Sequence, residues 1–272
     1  MNNKMKKFNK ILMMTVAILL TLVLASTSVV SGIFAKYAVT KSGSTEVSLK
    51  AFGITLTVAG KSGLSVDKTP SNSSGVNTMS VTVRDLQLTP GQTIDDVVKF
   101  TIAANGTDNK PNVSNVKLKI KTTVSGVSNF NVTSDNLKTV TSETVTHTTG
   151  KYIPIIFTME SGTADAASST KILDAWNNPT TVTDTNLANA IAAGIAANST
   201  FGYTATSGVS NSVEKTIWNG STLSVTHISF GFKGWGKETT SVANADAIQT
   251  YLSTNSNAKL TVTYTVSLEQ VL

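Results

Sequence analysis

The sequence predicts an all-β protein, an antiparallel β-sandwich or jelly roll with short helices in its connections. Three observations carry that prediction. Segments alternating apolar with polar residues recur from Val47 to the closing "AKLTVTYTVSLEQVL". Charged residues make up only 14% of the 272, and helical periodicity is confined to stretches between strand signals. Cysteine is absent, which excludes a disulfide scaffold, a thiolate metal site and a cysteine nucleophile together.

The chain opens with Lys4, Lys6, Lys7 and Lys10, followed by the apolar run from Ile11 to Ala25 and then small residues as far as Ala35. This is the layout of a secretory signal, in which basic residues hold one end in the cytoplasm while the apolar core enters the bilayer. Read to Ala35, the segment is just long enough to span a membrane, but "STS" and Ser31-Gly32 dilute its second half, which favours cleavage over a retained anchor. Removing residues 1 to 35 takes Lys+Arg from 22 to 18 against an unchanged Asp+Glu of 16, so the net charge falls from +6 to +2. With signs interspersed and no basic stripe, the remaining 237 residues lack the footprint that phosphate neutralisation needs, and nucleic acid is excluded as a partner.

"EVSLKAFGITLTVAG" sets Phe52, Ile54, Leu56 and Val58 on one face after Val47 and Leu49 in the opposite phase, a slip that predicts a bulge or break near Lys50. "MSVTVRDLQL" alternates through Met79, Val81 and Val83, "VVKFTIAA" through Val98, Phe100 and Ile102, and "NVKLKIKTTV" through Val116, Leu118 and Ile120. In "KYIPIIFTM" Pro154 predicts an edge or a bulge. "TADAASSTKILDAW" suggests a short helix ending near Asn178-Pro179. "TDTNLANAIAAGIAANS" places Leu187, Ile191 and Ile195 four apart on one helical stripe, capped at Thr183, Asp184 or Thr185. These two make a helical insertion near residues 160–200. "NADAIQTYLSTN" is a further helix, with Asn244 as cap and Ala247, Ile248, Tyr251 and Leu252 as its buried edge. Strands return in "STLSVTHISFGFKGW" and in the final segment, where Leu260, Val262, Tyr264, Val266 and Leu268 alternate strictly. With no C-terminal apolar tail and no LPxTG-like motif, the sequence predicts no tie between the C-terminus and membrane or wall.

Catalytic chemistry finds little material. The two histidines, His147 and His227, lie 80 residues apart in β-patterned contexts, and HExxH, GxSxG and SxxK are all missing. Asp95-Asp96, being consecutive, read as a turn or a solvated lead into Val97 rather than as paired carboxylates. "NGTDN" offers one acid, too few for a calcium loop. Trp176, Trp218 and Trp235 are read as core or loop anchors ahead of a glycan-stacking platform. No catalytic residue, metal or cofactor is expected.

Residues 88 to 120 contain a more specific signal. Leu88 ends a strand, Pro90 fixes φ and Gly91 accepts φ > 0 in a tight turn, Gln92 follows, and an alternating strand through Phe100 closes at Asn105-Gly106. This pattern resembles the TasA/camelysin family of secreted bacterial proteins. "GIFAKY" is similar to the region cut in that family by the SipW-type signal peptidase and maps cleavage between Ala35 and Lys36, while "LTVTYTVSLEQVL" is similar to the family's last strand. Gln92 replaces a commoner acid, and Ile33 stands where Thr is usual.

The resemblance implies a jelly-roll domain over 51–272, preceded by a candidate donor segment at 36–50 and a signal peptide at 1–35. It implies a subunit secreted to the extracellular matrix or cell surface, which polymerises into biofilm-matrix fibres by inserting its N-terminal strand into a neighbour, with Tyr37, Val39, Val47 and Leu49 as donor residues. The implied partners are further copies of the chain, the SipW-type peptidase and an accessory matrix subunit, with membrane contact only through the uncleaved signal. Two alternatives stand beside it: a camelysin-like cell-surface metalloprotease, and a monomeric surface adhesin or glycan-binding module.

Overall fold

A computed structural model describes residues 38–41, 47–60, 65–73, 76–89, 91–105, 111, 113–140, 150–163, 168–177, 183–234 and 245–271. The chain divides into two compact units, Met1–Ala38 and Val39–Leu272, and the sandwich belongs to the second. The signal segment, Ala35, Lys36, Tyr37, Pro90, Gly106, His147 and Trp235 lie outside the described residues.

In chain order the strands are β1 (Ala38–Lys41), β2 (Val47–Ala51), β3 (Ile54–Gly60), β4 (Ser65–Ser73), β5 (Val76–Leu86), β6 (Thr93–Ala104), β7 (Val116–Ser125), β8 (Asn131–Val132), β9 (Gly150–Lys151), β10 (Ile155–Gly162), β11 (Ser168–Asp174), β12 (Thr204–Ala205), β13 (Ser212–Trp218), β14 (His227–Gly234) and β15 (Leu260–Gln270). The helices are α1 (Ser134–Lys138), α2 (Asp184–Ala197) and α3 (Ala245–Thr254). One sheet runs β1-β2-β3-β6-β14-β10-β11 and the other β12-β13-β7-β15-β5-β4, with β8-β9 as a separate pair. The fold is the antiparallel β-sandwich that the alternation predicts, and from β3 onward the long strands pass back and forth between the two sheets.

Alternation explains the core. Leu56 and Val58 on β3, Met79, Val81 and Val83 on β5, Leu118 and Ile120 on β7, and Val262, Tyr264 and Val266 on β15 are all fully buried, while the residues between them are half-exposed on the outer faces. An aromatic stack joins the sheets, Phe230 of β14 lying on Tyr264 of β15 with centroids 3.8 Å apart, and within the first sheet Phe100 of β6 meets Phe230 edge-on at 6.4 Å.

Several local expectations need correction. The phase slip near Lys50 is neither bulge nor break but a two-residue hairpin turn, Phe52-Gly53, with φ of 55° and 76°, the positive pair of a type I′ turn. It aligns Val47 with Val58, Leu49 with Leu56 and Ala51 with Ile54, so both phases end on the same face. The stretch expected as a short helix after residue 163 is β11, followed by a single 3-10 turn at Ala175–Asn177. The β-branched Thr170 and Ile172 favour a strand, and pairing with β10 decides the outcome over the alanine-rich lead. The helical part of the insertion therefore begins at Asp184, while 155–174 is a hairpin of the first sheet. Pro154 stands just before β10, which is flanked on both sides by β14 and β11, so the missing N–H falls outside the ladder. Asp95 and Asp96 lie within β6 at a bulge opposite Gly231, with Asp96 at φ 53°. Strands β4, β12 and β13 were not expected, because Pro70 interrupts the first and Lys215 breaks the apolar face of the last.

Candidate assembly edge

A sandwich has four open edge strands to protect, and here the two flanks are treated differently. On one flank, α2 packs against β7, β11, β12 and β13. Its stripe Leu187, Ile191 and Ile195 is buried, Thr183 Oγ1 accepts from Asn186 N at 3.1 Å as the expected cap, and Asp184 Oδ1 accepts from Val127 N at 2.9 Å. The contact is close enough that a Cβ on Gly194 would lie 1.9 Å from Ile172 O. At the end of β5, Gln87 Nε2 donates to Leu252 O and Asn255 O of the α3 terminus, both at 3.2 Å, and α1 packs on α3.

The opposite flank lies between β1-β2 of the first sheet and β4 of the second, and β2 packs over β4 and β5. Among the described residues its edge strands are the four-residue β1 and the Pro70-bearing β4, devices that blunt an edge, and no described helix packs over them. Of the candidate donor residues, Val39 lies in β1, whereas Val47 and Leu49 lie in β2, 5% and 0% exposed within their own chain. The structure thus separates them into an edge strand and a resident core strand.

Beneath this flank sits a residue that the sequence reading passed over. Asn77 follows the inward phase of Met79, Val81 and Val83 and is completely buried, yet neither Nδ2 nor Oδ1 finds a hydrogen-bond partner among the described residues. It pairs with Leu268 of β15 on one side and Asn72 of the edge strand β4 on the other. Leu268 stands opposite Leu118, near the start of β7, and β7 follows β6, whose last residue Ala104 stands opposite Ile54. Asn77 is therefore at the end of the sandwich that carries the Phe52-Gly53 turn. An asparagine in phase with an apolar run was the available signal.

Between Thr89 and Gln92 the chain turns around Gly91, with β5 ending at Leu86 rather than at Leu88. Gln92 N donates to Thr89 O at 3.1 Å, Gly91 has φ 72°, and Gln92 Oε1 accepts from Thr89 N at 3.0 Å and from Thr89 Oγ1 at 3.1 Å. The turn docks on Gly234, whose N–H donates to Gln92 O at 2.6 Å; a Cβ there would lie 2.0 Å from Thr89 O. Leu88 and Phe100 are core residues, and Asn105 N donates to Gly53 O at 2.7 Å while its side chain bonds Thr55 Oγ1. These motif residues hold strand ends.

Other polar groups were checked for chemistry. His227 Nε2 pairs with Glu160 Oε1 at 2.7 Å, and among the described residues no three His, Cys, Asp or Glu side chains converge as metal ligands. Ser161 Oγ lies 3.3 Å from the Tyr203 hydroxyl, and the Lys215 ammonium donates to Phe201 O at 2.7 Å while sitting 5.6 Å from the Tyr203 ring centre. Burial raises the Tyr203 phenol well above its ordinary value and lowers the Lys215 ammonium, the signature of a packed polar plug under α2. Trp176 and Trp218 are 0% and 4% exposed, the latter donating Nε1 to Val113 O at 2.9 Å, so neither offers a face to a sugar ring. Among the described residues no helix is long and apolar enough to cross a membrane. No family model, curated protein or solved structure matches the chain.

Proposed function

We propose that this chain is an exported structural subunit that polymerises into extracellular fibres, each copy lending its N-terminal strand to the open flank of the next. The observation that carries the reading is the asymmetry of the sandwich: α2 plugs one flank, while the other is bounded by a four-residue strand and a proline-bearing edge. Magnitudes choose the lent strand. β1 is held by a short ladder whose hydrogen bonds are each worth about 1 kcal/mol net. β2 buries Val47, Leu49 and Ala51, at about 2 kcal/mol for each larger aliphatic side chain. Release of β1 is cheap and release of β2 is not, which narrows the donor from residues 36–50 to the segment around β1. Strand addition from a second copy is head-to-tail and does not close, so it propagates as a filament.

Cutting between Ala35 and Lys36 by a SipW-type signal peptidase frees the segment, and an accessory matrix subunit is a further partner in this reading. The test is truncation. Protein beginning at Lys36 is expected to form fibres visible by electron microscopy, and protein lacking residues 36–41 is expected to stay folded and monomeric.

A further inference from the structure

The outer face of the second sheet carries a pattern that strand exchange leaves unused. Its outward residues on β4, β5, β15 and β7 include hydroxyls in register. Thr69 stands opposite Ser80 and Ser80 opposite Thr265, while one row along Thr82 stands opposite Thr263 and Thr263 opposite Thr123. All six are exposed or half-exposed. The rows are held in place, because Ser80 Oγ lies 2.8 Å from Thr265 Oγ1 and Thr82 Oγ1 lies 2.8 Å from Thr263 Oγ1. Neighbouring strands stand about 4.8 Å apart and alternate residues of one strand about 6.7 Å, so these hydroxyls form a grid.

The chemistry around the grid narrows its partner. No aliphatic or aromatic side chain interrupts either row, so the anchors on which a protein partner depends are missing. Charges border the grid in pairs, Arg84 with Asp67, Lys117 with Glu214 at 2.8 Å and Lys119 with Glu269 at 2.7 Å, which removes most of the field that a charged polymer needs. Lys121 is an exposed cation at the margin. What remains is complementary to an uncharged polyol. In an extended β-linked sugar chain one residue is close in length to the spacing of strands, so a chain laid across the sheet presents one sugar to each strand.

We infer that this face binds an uncharged, extended polysaccharide lying across β4, β5, β15 and β7 and held by hydroxyl-to-hydroxyl hydrogen bonds, an inference that rests on the fibre reading above for the strength of binding. Each such bond replaces one to water and gains little by itself, so a single subunit holds a sugar weakly. Hydroxyls already fixed by their cross-strand partners lower the cost of ordering. Strand exchange at the β1 edge engages the first sheet, leaves this face uncovered and repeats it with every subunit. A polymer that touches several subunits then binds through many weak contacts, each at high effective concentration after the first.

The test measures binding of preformed fibres of protein beginning at Lys36 to a film of cellulose, an uncharged β-linked glucan, on a quartz microbalance. Wild-type fibres are expected to bind equally at about 50 mM and about 500 mM salt, because no charge is involved. A chain carrying Thr82→Val, Thr263→Val and Thr265→Val keeps shape and strand propensity while losing hydroxyls, and its fibres are expected to bind at least about ten-fold more weakly. Folded monomer beginning at Ser42 carries the face once and is expected to show a similar loss. Variant fibres that bind like wild type overturn the inference, and so does binding that disappears at high salt or on Lys121→Gln, which assigns it to charge. If the variant does not assemble, the salt series and the monomer decide: monomer binding as tightly as fibres overturns the inference. Wild-type fibres that ignore the film overturn it and leave the fibre reading intact. Wild-type protein that forms no fibres by electron microscopy removes the fibre reading and the inference with it.

Discussion

Gln92 closes its turn through one atom, Oε1, which accepts from both the backbone and the hydroxyl of Thr89. Because only an acceptor is used, a carboxylate serves equally at this position. Gln92→Glu is expected to leave stability within about 0.5 kcal/mol, and Gln92→Ala to cost about 1 kcal/mol, read by urea unfolding. Tyr203 and Tyr264 give a second residue-scale expectation. Burial raises both phenols well above their ordinary value of 10.0, with the Ser161 hydrogen bond partly opposing the rise at Tyr203. The folded pKa being the higher one, their contribution to stability is intact below about pH 10 and is lost as pH climbs beyond it, because the unfolded chain releases these protons first. In ultraviolet titration the two phenols should ionise only together with unfolding; smooth titration of every tyrosine in the folded protein would contradict their burial.

At the scale of elements, α2 is the seal of one flank, and its fit depends on Gly194 lying against Ile172 O. Gly194→Ala raises helix propensity but drives a methyl group into a backbone carbonyl, so it is expected to destabilise the protein by about 3 kcal/mol, measured by thermal or urea unfolding. Much at this scale was legible. Strict alternation located β3, β5, β6, β7 and β15, and four-residue spacing with a Thr183 cap located α2, because in those segments one face is wholly apolar and the period is unambiguous. The errors share a cause, which is that pairing overruled local pattern. β11 reads as helical in its alanine-rich lead but is held by β10, and β13 hides its inward face behind Lys215, which is half-buried and donates its ammonium to Phe201 O. The Phe52-Gly53 turn escaped notice because Phe at positive φ is rare, and the hairpin it makes was visible only as a slip of phase.

For the whole molecule, the fold class was readable from alternation and composition, whereas the asymmetry of the flanks was not. That asymmetry depends on which strands become edges and where α2 docks, and both follow from contacts between residues far apart in sequence. The donor residues illustrate the point: Tyr37, Val39, Val47 and Leu49 form one continuous pattern in the sequence, yet Val47 and Leu49 belong to the subunit's own core. Deleting the segment as far as residue 49 would remove that core and confuse unfolding with failure to assemble. The most direct measurement is therefore electron microscopy, with circular dichroism on the same samples, of protein beginning at Lys36 beside protein beginning at Ser42. Fibres from the first and a folded, fibre-free monomer from the second are the predicted result; fibres of equal abundance from the truncated protein would contradict assembly through the N-terminal strand.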